Sequence, residues 1–250
     1  MNDTIALIDG DSLIYFEMGK PTLEEALNSL DGRLHQMFEM THATKYAGFL
    51  TQGKCFRYAA AKTQPYKGNR KHGDKPIIFP AIKEYLKQKW RFTFVPELEA
   101  DDLVSVYHDP LKTVICSPDK DVLYQNKGIH YNYGKAETII VDDIEANTFL
   151  WKQMLMGDST DGIQGIPKVG PKTADTWLEP LLPNEMPEFV LNKYIEKFGI
   201  HEGISKFAET FKLIYILKST EDVLRETNIE LPELVVYSVN LLKPTYGSEM

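Results

Sequence analysis

Residues 154–174, MLMGDSTDGIQGIPKVGPKTA, mark the point at which the chain changes character. Two acids three apart, Asp158 and Asp161, lead into a glycine-punctuated segment. Pro167, Gly170 and Pro171 stop any helix that enters from Met154. The run from Lys172 to Trp177 has the composition to start another helix, with proline near its first turn. Free N–H groups at such a helix start, after the backbone of Gly165 and Gly170, suit an anion such as phosphate, and Lys168 and Lys172 add positive charge beside it. The same features fit an ordinary helix–turn–helix corner with capping aspartates. A nucleotide P-loop does not fit, because Pro171 displaces Lys172 and Thr173 from the phosphate cradle.

Upstream, strand and helix patterns alternate. Residues 4–9, TIALID, read as a buried strand ending on Asp9, followed by an amphipathic segment at Leu13–Phe16. Helical spacing runs over 22–42, and 45–50, KYAGFL, reads as a second strand. Residues 77–90 read as a helix, 91–95 as a strand, 99–107 as a helix and 113–116 as a strand. A short helix over 119–125 and a strand over 129–133 follow. Such alternation predicts an α/β fold with a mostly parallel central sheet. From about residue 143 the strand signals stop and the chain reads as helical, with a linker at 184–187. The expected domains are an α/β unit over 1–148 and a helical unit over 149–250.

At 250 residues, 43% hydrophobic and 26% charged, the chain has the composition of a soluble globular protein. No apolar run reaches the roughly 18 residues of a membrane span, so no membrane partner is expected. The start, MNDTIALIDGD, carries acids and no basic region, unlike a signal peptide. Two lone cysteines, Cys55 and Cys116, offer neither a disulfide framework nor a zinc pattern, which fits a reducing cytoplasm. The net charge of −8 would disfavour a nucleic-acid partner if it were spread evenly. It is not: Lys54, Arg57, Lys62, Lys67, Arg70, Lys71 and Lys75 stand against Asp74 alone, a basic island in an acidic chain.

The acids gather where an open parallel sheet places its ligands, at the carboxyl ends of strands. Asp9 ends the first strand; Glu99, Asp101 and Asp102 follow the third; Asp119 and Asp121 follow the fourth; Asp158 and Asp161 come from the helical part. At i,i+3 on a helix, Glu99 and Asp102 share a face. Singly, each acid is as well explained as a helix cap or a solvated residue, and Asp11 is read as a local hydrogen-bonding group. Together they would repel one another unless cations were bound. Oxygen donors without His or Cys favour Mg²⁺, with Mn²⁺ as substitute, over zinc. Two such ions about 4 Å apart can activate water and hold a scissile phosphate.

The segments LIDGDSLIY, YKGNRK (66–71), LEADDLV (98–104), SPDKDVLYQ (117–125) and MGDSTDGIQGIPKVGPKTA (156–174) occur in an order that resembles the 5′-nuclease superfamily. That superfamily contains flap endonucleases, the 5′-nuclease domains of bacterial DNA polymerases and phage 5′→3′ exonucleases. The wording DGD, YKGNRK and GDSTDG is most similar to compact phage exonucleases. The resemblance implies a PIN-like sheet, a helix–three-turn–helix over 165–174 that grips duplex backbone, and a two-ion site. Asp9, Glu99, Asp101, Asp102 and Asp119 would surround the first ion, and Asp121, Asp158 and Asp161 the second. Lys67 and Arg70 would approach the scissile phosphate as catalytic cations, and Tyr66 could stack on a base. Arg57, Lys71, Gly165, Lys168, Gly170 and Lys172 complete the expected DNA contacts, with K⁺ among the carbonyls of the turn. The implied partner is duplex DNA with a 5′ end, nick or flap, an RNA primer strand being a further possibility. A monomer in the cytoplasm of the host cell, for a phage-encoded chain, is expected.

The sequence departs from the family at one place. Where the pattern F-D-x-x-G-K-x-F-R has its aspartate, this chain has Leu50 by the simplest alignment, or Thr51 or Gln52 if it slips. That leaves a second reading, a DNA-binding protein with a nuclease fold and weakened catalysis. A third, a haloacid-dehalogenase-like phosphohydrolase using Asp9 of D-G-D-S, leaves YKGNRK unexplained.

Overall fold

Three parallel pairings fix the sheet. β1 (Ile5–Asp9) lies between β2 (Lys45–Phe49) and β3 (Thr113–Cys116), and β3 pairs with β4 (Gly128–Asn132). The computed structural model describes residues 3–69 and 76–239. The crossovers are helical. α1 (Gly10–Glu17) and α2 (Leu23–Thr41) join β1 to β2; α3 (Arg57–Ala60), α4 (Ile78–Gln88) and α5 (Ala100–Val106) lead to β3; α6 (Lys120–Gln125) leads to β4. Two edges are antiparallel: β5 (Glu137–Val141) folds back on β4, and β8 (Tyr237–Ser238) pairs with β2. The order is β5-β4-β3-β1-β2-β8. Asp9 pairs with Phe49 and Ile8 with Cys116, so the carboxyl ends of the three central strands finish level.

Each face of the sheet has its own core. Ile8, Leu13, Leu30, Leu34, Ile82 and Trp90 pack α1, α2 and α4 on one side, while Leu7, Leu103, Ile115 and Leu123 pack α5 and α6 on the other. Strands buried on both faces explain why IALID and TVIC are near-continuous apolar runs.

α7 (Asp143–Met156) follows β5, opened by Asp142 and Glu145 in a reciprocal capping box. A small hairpin, β6 (Gly157–Asp158) and β7 (Ile163–Gln164), then leads to α8 (Pro171–Leu178), α9 (Met186–Phe198), α10 (Ile200–Ile214) and α11 (Thr220–Thr227). A third core joins α7, the hairpin, α8, α9 and α10 through Leu155, Ile163, Ala174, Val190, Tyr194 and Leu213, and takes in Cys55 and Tyr66 from the α/β part, whereas Val223 of α11 packs in the second core. The boundary expected at 148/149 falls inside α7.

The parallel sheet and alternating elements agree with the sequence reading. The strand expected over 91–95 shrinks to one bridge between Phe49 and Thr93. Arg91 and Glu97 have left-handed φ values of 56° and 63°, which bend the chain away on either side. The segment instead serves the core, with the Phe92 ring filling the space where a Gly48 Cβ would lie 2.2 Å from it. The linker expected at 184–187 overlaps the start of α9, which takes Pro187 into its first turn. β5, β6, β7 and β8 are strands the periodicity did not reveal; three of them are only two residues long. Among the described residues no helix is long and apolar enough to cross a membrane.

Candidate active site

A cavity of about 760 Å³ opens at the carboxyl ends of β1, β2 and β3. Asp9, Asp11, Glu99, Asp101, Asp119, Asp121, Asp158 and Asp161 line it, together with Lys67, Lys83, Tyr66 and Arg57. The strand-end acids other than Asp102 and the pair from the helical part therefore meet. Arg70 and Lys71 lie outside the described residues.

Helix starts hold much of this set in place. Asp9 caps α1, its Oδ1 accepting from the N–H groups of Asp11 (3.0 Å) and Ser12 (3.3 Å), while Ser117 Oγ donates to its Oδ2 (2.9 Å). Asp119 caps α6 by accepting from the N–H of Asp121 at 2.8 Å. Capping and lining the cavity are thus not alternatives here. Asp121 accepts from Gln153 Nε2 (2.8 Å) on α7 and from Lys120 Nζ (2.6 Å).

Crowding shows in the acidities. Burial first, then the Asp11 charge, raises Asp9 to about 6. Burial and the Asp119 charge raise Asp121 to about 7, its carboxyl sharing a hydrogen bond with Asp158. Asp101 is pushed well up by burial and by Asp9 and Asp119, and Asp119 and Asp11 are raised chiefly by burial. Such groups bind protons in the native state that the unfolded chain has released, so they cost stability as pH rises. With the ordinary value at 3.8 and the raised values at about 6 and about 7, the loss runs from about pH 4 to about pH 7. In chelator, the melting temperature is expected to be higher at about pH 5 than at about pH 8, and millimolar Mg²⁺ or Mn²⁺ should narrow that gap by binding the ionised forms. A melting temperature in chelator that does not fall across this range would contradict the crowding.

Glu99 behaves oppositely. Burial would raise it, but Lys67 and Arg57 outweigh burial and hold it at about 2. Lys67 Nζ bonds its Oε1 at 2.5 Å, Tyr66 Oη donates to its Oε2 at 2.8 Å, and Arg57 Nη1 lies 3.2 Å from the same oxygen. Lys67 also stands 3.7 Å from Asp161, and its own acidity is weakened by both acids.

Three expected site residues stand away from their expected contacts. Asp102, placed among the first ion's ligands, is fully buried and turned away from the cavity. Arg57 grips it through two 2.7 Å bonds, and it accepts from the N–H of Leu217 and of Glu99 at 3.2 Å each. Arg57, expected on DNA, is 3% exposed and spends its remaining reach on Tyr215 O at 2.8 Å. The i,i+3 pairing of Glu99 and Asp102 is real, but its shared partner is this buried guanidinium. Tyr66, expected to stack on a base, is also buried, its hydroxyl held by Glu99 and Asp161.

On the helical side, Lys168 and Lys172 are exposed beside a second cavity of about 360 Å³ that Lys168, Trp177, Lys193 and Lys197 help to line. Lys168 takes a left-handed φ of 69°. Gly170 caps α8 with open space where a Cβ would stand, leaving its backbone accessible. Gly165 has a packing duty instead: a Cβ there would lie 2.3 Å from the Gly157 nitrogen across the β6–β7 hairpin.

Sequence reading missed Asp11 and Lys83. Asp11 is not a local cap: both its oxygens lie 3.1 Å from the N–H of Thr51, just past β2. Lys83 Nζ bonds the carbonyl of the same Thr51, whose Oγ1 accepts from the N–H of Ala100 at the start of α5. The D-G-D spacing could have flagged Asp11, whereas nothing in α4 distinguishes Lys83. Leu50, the position without the expected acid, is fully buried in the α1/α2/α4 core.

The donor set is hard and anionic, and the raised carboxyls are those a divalent cation would relieve. Among the described residues no group of three already stands at closed metal-site spacing. Asp9, Asp101 and Asp119 on one side, and Asp121, Asp158 and Asp161 on the other, remain as the candidate holders.

Acids of this kind at the ends of a parallel sheet, faced by a half-buried lysine, equip a phosphodiester-cleaving nuclease. A 5′-3′ exonuclease of Buchnera aphidicola is 31% identical over 231 residues, covering 82% of this chain and 76% of that protein. A flap endonuclease Xni of Shewanella woodyi is 25% identical over 195 residues, 71% of this chain and 77% of that one. The chain belongs to the 5′-nuclease superfamily, with the 5′-3′ exonucleases and flap endonucleases. The fold matches the D15 protein of phage T5 co-crystallised with metal ions, with a TM-score of 0.62 and 17% identity over 90% of this chain and 97% of that one. It also matches the T5 D15 flap endonuclease in a pseudo-enzyme–product complex with DNA and metal ions, with a TM-score of 0.59 and 15% identity over 84% of this chain and 99% of that one. No protein-family model matches the sequence.

Proposed function

We propose that this 5′ nuclease hydrolyses DNA phosphodiesters with Mg²⁺ or Mn²⁺, as a 5′→3′ exonuclease, a flap endonuclease or both. The observation that carries the reading is the cavity in which crowded strand-end acids, their pKa values raised, face the lysine held by Glu99. Two bound ions would supply an activated water and neutralise charge on the scissile phosphate. The chain's own residues set the stage. Asp9, Asp101 and Asp119 hold one side and Asp121, Asp158 and Asp161 the other. Glu99 orients Lys67, so that its ammonium meets the phosphate from a fixed direction. Arg57 and Asp102 brace α5 beneath them. Arg70 is assigned the second cation at the phosphate, and Lys71 a backbone contact.

Residues 1–148 act as the catalytic unit and the chain from 149 on carries the duplex grip, with α7 shared between them and the segment from Ile216 to β8 returned to the catalytic core. Lys168, Lys172 and the Gly170 backbone at the start of α8 form the grip, a helix–three-turn–helix whose carbonyls would hold K⁺. The substrate is duplex DNA with a 5′ end, nick or flap, including RNA-primed strands, handled by a monomer in the cytoplasm. Digestion of 5′-labelled, 3′-labelled and flapped duplexes with Mg²⁺ tests this. Short 5′ products or released flaps are expected, while binding without cleavage would select the DNA-binding alternative.

A further inference from the structure

The hairpin that carries Asp158 and Asp161 is too small to hold its own shape. Its strands have two residues each, and a hairpin of this kind is marginal in water. What holds it is the segment just before the basic island's outer part. Asn69 Nδ2 donates to the carbonyl of Ser159 at 2.6 Å and reaches that of Thr160 at 3.3 Å. The Lys67 N–H donates to Asp161 O at 2.8 Å, and the Gln164 N–H donates to Gln64 Oε1 at 2.8 Å. Gly162, at a φ of 74°, packs against Asn69, since a Cβ there would lie 3.3 Å from Asn69 Oδ1.

We propose that Asn69 is a positioning residue for Asp158 and Asp161, its side-chain amide clasping the hairpin so that both carboxylates are pre-set for one of the two ions. This rests on the reading of these acids as ion holders. The chemistry suits asparagine: a planar amide on a short stem presents two donors to neighbouring carbonyls, where aspartate would present only acceptors. Asn69 is exposed, so the clasp owes little to apolar burial.

Calorimetric titration of Mn²⁺ into the parent, Asn69→Ala and Gln64→Ala, with Asp158→Asn to mark which ion is affected, tests the clasp. The parent is expected to take up two ions. Asn69→Ala should weaken the ion marked by Asp158→Asn by about tenfold and leave the other within about twofold, with Gln64→Ala acting on the same ion more weakly. Two ions bound by Asn69→Ala as tightly as by the parent would overturn the proposal, as would equal weakening of both, which is general loosening. A parent that takes up no pair of ions would instead remove the reading on which the proposal rests.

Discussion

Asp121→Ala is expected to lower turnover by about 10³-fold or more, the scale seen when a group that stabilises charge on a transferring phosphoryl is removed. Asp121 stands between the two sets of acids. It touches the capping turn of Asp119 on one side and shares a hydrogen bond with Asp158 on the other. Its carboxylate is also the one that Gln153 reaches from α7, so the helical half of the molecule orients it directly. Alanine leaves the fold alone, because the residue sits in the first turn of α6 and is not fully buried. Removing a raised carboxyl should even stabilise the protein slightly in chelator at neutral pH. Duplex binding should persist, since the acids repel phosphate and the cations of the grip lie elsewhere. Single-turnover cleavage beside a binding titration decides the matter. Cleavage within about tenfold of the parent at millimolar Mg²⁺ would remove Asp121 from the reaction.

Leu50→Asp is expected to unfold or severely destabilise the protein, by at least about 4 kcal/mol. From sequence, an acid here looked like a means of completing the ion site. The structure shows why it would not be: Leu50 is fully buried, its N–H is given to Thr93 O at 2.9 Å, and its side chain belongs to the core shared with Leu13, Ile82 and Phe92. A carboxylate there would lose its apolar contacts and enter a fully buried, apolar-lined place. The place just beyond β2 already has an acid nearby, because Asp11 reaches the Thr51 N–H from α1. Thermal melts read the effect. A Leu50→Asp protein that melts within a few degrees of the parent and needs less metal would show that the side chain turns toward the cavity.

Periodicity was enough for most of the α/β part, because each central strand is covered on both faces and reads as an apolar run bounded by turns. Acids at successive strand ends were equally legible, since β-strand carboxyl ends in a parallel sheet finish at one level. Partnership over long range was not. Arg57 sat in a basic island and was counted as surface charge. Its burial depends on Asp102 and on Tyr215, 158 residues away, and no local pattern announces such a contact. The strand expected over 91–95 failed for a related reason. Its β-forming composition serves the packing of Phe92 against Gly48 and Gly10, while left-handed residues on either side break the ladder. Asn69 carried no signal beyond its place in YKGNRK, because a side-chain amide on a distant carbonyl has no sequence period.

The buried guanidinium of Arg57 sets a limit on how the gene for this protein could be shortened. A chain ending before α10 would keep every acid of the cavity, yet it would delete the Tyr215 carbonyl and the Leu217 N–H that complete the Arg57–Asp102 pair. It would also lose Glu209, whose Oε1 accepts from the N–H groups of Lys62 (2.7 Å) and Thr63 (2.8 Å), at the root of the basic segment. The sheet would then hold a charge pair with its outer bonds cut, in a protein interior where unmet polar groups are costly. Truncated forms and fusion junctions placed between 180 and 217 should therefore aggregate, however intact their catalytic residues are.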